Sequence, residues 1–187
     1  MNDQSNRRQV LKILGAAPLA VASAQEKKAV VPAPAYKPKA LTPREFRTTK
    51  VLADLIIPAD ERSGSASQAG APEFIDAYLA EVKGRVETQI RGGLAWLDSE
   101  AIRRFEKDFV VCTVAQQKAI LDLIAYPAKA APEHRRAVLF FNRFRDLTAS
   151  GFYTSKMGTK DLGYMGNTAV SEWNGCPDVV LRKLGLA

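Results

Sequence analysis

A single histidine, His134, serves the whole 187-residue chain, and the only cysteines are Cys112 and Cys176. Metal sets of His and Cys, and Cys–His or Ser–His–Asp catalysis, need more of these residues or a tighter spacing. His134 stands beside Arg135 and Arg136 at a helix start, without a ligand-spaced cysteine or acidic pair, and reads as a surface or capping residue. Neither cysteine lies in a CxxC or CxxCH pattern, so dithiol redox work and haem attachment are not indicated. No apolar run after the first 24 residues reaches the roughly 18 needed for a spanning helix. No stretch alternates like a half-buried strand, so no GxGxxG can follow one. GTKDLG at 158–163 lacks the Gly-Lys-Ser/Thr of a phosphate loop, and no serine sits in a GxSxG elbow. Asp54, Asp60, Glu61 and Asp161 could supply a carboxylate pair in space, but nothing selects two of them. The expected catalytic, cofactor-binding and metal sets of this chain are therefore empty.

What is present begins with MNDQSNRRQVLKILGAAPLAVASAQ, which has the parts of an export signal. Arg7, Arg8 and Lys12 supply the charge. Ile13 to Ala22 supplies a weakly apolar run interrupted by Pro18, and Ala22-Ser23-Ala24 a small-residue cleavage site. The arginine pair and the modest hydrophobicity of Gly15, Ala16 and Ala17 point to the twin-arginine route and a periplasmic destination. Leu11 and Lys12 fit that pattern, while Asn6 and Val10 depart from the usual residues around the pair. A Sec signal and an amphipathic helix of the folded domain are the alternatives.

The formal net charge of +7 stays positive once residues 1–24 are set aside. Its densest groups, Lys27-Lys28, Arg103-Arg104 and Arg135-Arg136, are flanked by acids or apolar residues, poor material for a phosphate-tracking groove. Nucleic acid is not an expected partner, and a membrane is expected only through other subunits. Residues 25–40 carry Pro32, Pro34 and Pro38 among lysines and alanines, which favours an extended tether or an arm lying along a partner.

From residue 41 to 187 the periodicity predicts one all-α domain, a bundle of about five helices. Thr42, Pro43 and Glu45 make a capping box that opens a first helix with Phe46, Val51, Leu52, Leu55 and Ile56 on its apolar stripe, stopped by Pro58. A second opens at Ala71-Pro72-Glu73 and carries Phe74, Ile75, Tyr78, Leu79 and Val82. A third follows Gly92-Gly93 or runs through it, with Leu94, Leu97, Ala101 and Phe105 on one face. Thr113 and Gln116 box a fourth that presents Ala119, Ile120, Leu123 and Ile124 before Pro127. A fifth starts after Pro132 with Ala137, Val138, Phe141, Phe144, Leu147 and Thr148, and Gly151 is placed as its stop.

The segment from Gly151 onward is rich in glycine and aromatic rings and is expected to be long and irregular, with helix character only from Pro177 to Leu184. Phe152, Tyr153, Tyr164 and Trp173 are candidate interface anchors, the alternative being that they close the domain's own core. Cys112 and Cys176 permit a bridge that would contribute about 4 kcal/mol on the chain-entropy estimate. Two reduced thiols, or one shared with a partner chain, are the other possibilities.

LADLIIPAD at 52–60, GAPEFIDAYL at 70–79, GGLAWLDSEA at 92–101, VLFFNRFRDLTASGFYTS at 138–155 and DLGYMG at 161–166 form an ordered set. Together they resemble the gluconate 2-dehydrogenase subunit 3 family over roughly residues 41–170. The serine-rich loop at 63–69 departs from it, since members often carry a Pro-Gly turn there. The resemblance implies a small accessory subunit without catalytic residues of its own. It also implies a large FAD-containing subunit of the glucose/methanol/choline oxidoreductase type, and commonly a cytochrome c subunit carrying c-type haem. Substrate does not transfer, because similar small subunits accompany dehydrogenases of several sugars and sugar derivatives. A twin-arginine signal suits such a complex, since a flavoprotein folded in the cytoplasm needs a route that accepts folded cargo. Against this stand a freestanding periplasmic enzyme built from scattered carboxylates and tyrosines, and a small helical ligand-binding module.

Overall fold

Thr42 starts the bundle as its sequence predicts. Its backbone N–H donates to Glu45 Oε2 at 2.7 Å, and its Oγ1 accepts from the Glu45 N–H at 3.2 Å. The computed structural model describes residues 36–167, 169, 171–172 and 175–186. The signal residues Arg7, Arg8, Lys12, Ala22 and Ala24, the tether up to residue 35, and Trp173 lie outside them. The described elements are α1 (Pro43–Ile56), α2 (Ala71–Val82), α3 (Arg85–Phe105), a 3-10 turn (Phe109–Val111), α4 (Val114–Leu121), a second 3-10 turn (Pro132–His134), α5 (Arg135–Tyr153), α6 (Lys156–Asp161) and α7 (Asp178–Lys183). No strand occurs among the described residues.

The core gathers one face from each long helix. Leu52 and Ala53 of α1, Ile75 and Leu79 of α2, Ile90, Leu94 and Leu97 of α3 and Phe140, Phe144 and Leu147 of α5 are buried together, with Phe109, Ile120 and Ile124 closing one end. Helix α5 packs along both α2 and α3, and small residues set how closely it can approach. A Cβ built on Gly93 would lie 1.9 Å from Phe140 Cγ, so the bare backbone of α3 receives the Phe140 ring. Gly92 beside it faces open space, and the pair interrupts nothing: α3 runs through both.

Gly151 does not stop α5. A Cβ there would meet Phe74 Cδ1 at 2.9 Å and Ala71 Cα at 3.1 Å, so this glycine lets α5 cross the start of α2, and the helix continues to Tyr153. Helix α6 then begins inside the segment expected to be irregular. Ser155 caps it by accepting from the Gly158 N–H at 3.0 Å, and Gly158 sits against the Phe152 carbonyl where a side chain would clash. Helix α4 ends at Leu121 rather than running to Pro127. Tighter turns, Leu123 N–H to Ile120 O and Ile124 N–H to Leu121 O, deliver Ile124 to the core without further α-helix.

The cysteines are not bridged. Cys112 is buried after the first 3-10 turn, Cys176 is exposed, and both are free thiols. Burial pushes the Cys112 thiol up from its ordinary value.

Candidate functional site

The most heavily bonded carboxylate of the domain receives the end of the expected tether. Asp76 lies on the inner face of α2 between Ile75 and Leu79 and is fully buried. It accepts from Tyr36 Oη (2.8 Å), Lys39 N (2.7 Å), Ala40 N (3.1 Å) and Leu41 N (2.8 Å). Residues 36–41 thus form a strap fixed to the bundle, with Tyr36 stacked on Phe46 at 5.3 Å. Burial works to raise the Asp76 pKa, but the donated hydrogen bonds outweigh it and hold the carboxyl below its ordinary range. The same burial and the bond to Asp76 push the Tyr36 phenol up to about 12. An acid on an otherwise apolar helical stripe was the available sequence signal, and the helical reading of GAPEFIDAYL passed over it.

Three of the four scattered carboxylates are engaged by neighbouring backbone or side chains. Asp54 accepts from Ser67 N and Ser67 Oγ, both at 2.8 Å, tying the serine-rich loop to α1. Asp60 accepts from the backbone of Arg62 and Ser63 within that loop, while Asp161 meets Arg62 at 3.3 Å. Glu61 is exposed. Glu100 forms the other buried acidic centre. Arg103 Nε donates to it at 2.9 Å and Arg104 bonds it from the next turn face. Hydrogen bonding from Arg103, against the opposing effect of burial and with help from Arg104, brings its pKa down to about 2. His134 precedes α5, its ring edge-on to Trp96 at 5.6 Å.

The proposed anchors divide. Phe152 is 1% exposed and packs inside the domain with the Tyr153 ring edge-on at 5.1 Å, so it is not a free anchor: α5 carries it inward as the continuation of the Phe144–Thr148 face. Tyr153 is 41% exposed and Tyr164 63%. The sequence reading missed their company. Met165 is 91% exposed, Leu162, Val179, Leu184 and Leu186 are also exposed, and no residue of α7 is buried. Exposed aliphatic and aromatic side chains of this kind are what protein interfaces cover.

No curated protein and no solved structure matches the chain. The family model for gluconate 2-dehydrogenase subunit 3 matches residues 43–172, from the first turn of α1 to beyond α6, and leaves the strap and α7 outside. With most of the bundle inside that match, the chain belongs to the gluconate 2-dehydrogenase subunit 3 family, whose name describes one subunit of a dehydrogenase built from several chains.

Proposed function

We propose that this chain is a non-catalytic accessory subunit that binds, stabilises and co-exports a flavin-dependent dehydrogenase of the glucose/methanol/choline oxidoreductase type, acting on a sugar or sugar acid. The observation that carries the reading is the exposure of Leu162, Tyr164, Met165, Val179, Leu184 and Leu186, joined to family membership. A free-standing domain gains nothing by holding Met165, Leu184 and Leu186 in water, whereas a subunit covers them on assembly. FAD belongs to the large subunit in this account, and a cytochrome c subunit carries electrons onward. Arg7 and Arg8 would take the pair through the twin-arginine route to the periplasm, where the complex meets the inner membrane through its other subunits. Tyr153 and Tyr164 are the exposed rings of the interface, and Trp173 joins them in this reading.

Co-expression with a signal-less flavoprotein tests it. Replacing Arg7 and Arg8 by lysine should leave both chains in the cytoplasm and abolish periplasmic dye-linked dehydrogenase activity. A partner that still reaches the periplasm sinks the co-export account, and dehydrogenase activity from this chain alone sinks the accessory reading.

A further inference from the structure

A second surface lies between α3 and α5, beside their tight contact at Gly93. Gly92, Trp96 and Leu139 line a trough of about 490 Å³. Gly92 leaves its floor open, since a Cβ there would touch nothing within 4 Å. Leu139 is 56% exposed in its wall. Arg85 and Arg136 line the same hollow, which continues past Leu139 to Arg143.

Arg85, Arg136 and Arg143 are, with Arg47, Arg135 and Arg182, the described arginines that carry no ion pair, and these three share one hollow. Arg44 meets Asp98 and Asp108, Arg62 meets Asp161, Arg91 meets Glu45 and Glu87, and Arg103 and Arg104 share Glu100. Among the described residues, no ion pair engages Arg85, Arg136 or Arg143. The one acid lining the Arg143 end, Asp146, leans on its neighbour Arg145 at 3.9 Å. The trough therefore combines an apolar floor with unmatched positive walls.

We propose that this trough is a docking site for an acidic segment of the dehydrogenase subunit, with one apolar or aromatic side chain over Gly92 against Trp96 and Leu139, and carboxylates reaching Arg85, Arg136 and Arg143. The inference rests on the accessory-subunit reading and adds the chemistry of the partner's surface. Charge complementarity chooses the occupant. An apolar segment without acids would bury three guanidinium groups unpaired, and a basic one would be repelled. The volume takes a large side chain but not a folded element. Arginine–carboxylate pairs at the rim would also quicken encounter and make it salt-sensitive.

The test uses the full chain co-expressed with the flavin-binding dehydrogenase subunit, measuring affinity at low and high salt. Arg136→Glu with Arg143→Glu should weaken binding at least tenfold at low salt and flatten its salt dependence. Gly92→Leu fills the floor without touching the core and replaces glycine by a better helix former. It should weaken binding comparably while the melting temperature of the isolated subunit holds or rises. A photo-crosslinker at position 139 should capture an Asp/Glu-rich peptide of the dehydrogenase. Wild-type affinity in both variants, or a crosslink to a neutral or basic peptide or to a second copy of this chain, would overturn the trough assignment while leaving the accessory reading intact. Binding of phosphatidylglycerol vesicles that is lost in the double variant, with dehydrogenase binding retained, would make the occupant a membrane and overturn it too. A wild-type chain that binds no dehydrogenase overturns both.

Discussion

Replacing Asp76 by asparagine should release the strap while leaving the helices in place. The carboxylate accepts four hydrogen bonds, three from successive backbone N–H groups and one from the Tyr36 hydroxyl. An asparagine keeps one acceptor oxygen for Ala40 and Leu41, and its NH₂ can donate to the Tyr36 hydroxyl oxygen but meets the Lys39 N–H, which can only donate; that bond is lost and the others lose their charge assistance. Hydrogen bonds to a charged group contribute about 1.5–3 kcal/mol each. Losing one and weakening the rest would cost about 2–5 kcal/mol if the strap stayed in place. Residues 36–40 lie at the domain edge and can swing into water, which caps the loss at about 2–3 kcal/mol. That corresponds to a fall of about 5–10 °C in Tm for a domain of this size. The assay is thermal unfolding by circular dichroism together with amide exchange at Lys39, Ala40 and Leu41. Acid titration adds a second check. The folded pKa of Asp76 is depressed, so its contribution is complete above the unfolded value near pH 4 and is lost as pH falls through the folded value. The gap between wild type and Asp76→Asn should therefore narrow in acid. A Tm within a degree of wild type, with the three amides still protected at neutral pH, would refute the reasoning.

Other perturbations read the rest of the fold. Gly93→Ala must push Phe140 aside, at about 1–3 kcal/mol or more, whereas Gly92→Ala should gain about 1 kcal/mol from helix propensity; denaturant melts of the two neighbours should shift in opposite directions. Thr49 is fully buried and its hydroxyl has no hydrogen-bond partner among the described residues, so Thr49→Val should raise stability by about 1 kcal/mol; a destabilised variant would mean that the hydroxyl is satisfied. Glu100→Gln should lower stability by about 1–2 kcal/mol at pH 7. Because the folded Glu100 pKa lies at about 2, below the ordinary glutamate value of 4.5, the difference should persist down to the upper value and fade between the two.

Helix starts were legible because capping boxes are local. Thr42 with Glu45 and Thr113 with Gln116 each place both halves of the signal within four residues, and both form. The apolar stripe of α5 was legible for the same reason of period, whereas Phe74 and Val82, read onto the stripe of α2, are exposed. Glycine was not legible, because one residue type serves two opposite purposes. At Gly151 and Gly158 it permits close approach within or beside helices, and a single sequence does not distinguish that from a helix stop. Reading Gly151 as a stop placed Phe152 in the irregular terminal segment instead of on the buried face of α5 and concealed α6. Asp76 escaped because its role depends on a segment 35–40 residues earlier in the chain, a contact that periodicity does not encode. The exposed rings and aliphatic residues from Tyr153 onward were half legible: Tyr153 and Tyr164 were picked out as anchors, but Met165, Leu184 and Leu186 lack aromatic character and drew no attention.

Whether the exposed terminal residues hold this subunit to a flavin-dependent dehydrogenase is read by native mass spectrometry of the co-expressed pair, comparing wild type with a Tyr164→Ser, Met165→Ser, Leu184→Ser triple variant. These side chains are exposed, so the isolated variant should melt as the wild type does. The account predicts a stable complex carrying FAD for the wild type and separated subunits for the variant. An intact complex with the triple variant, at equal concentration and with an unchanged melting temperature, would contradict it.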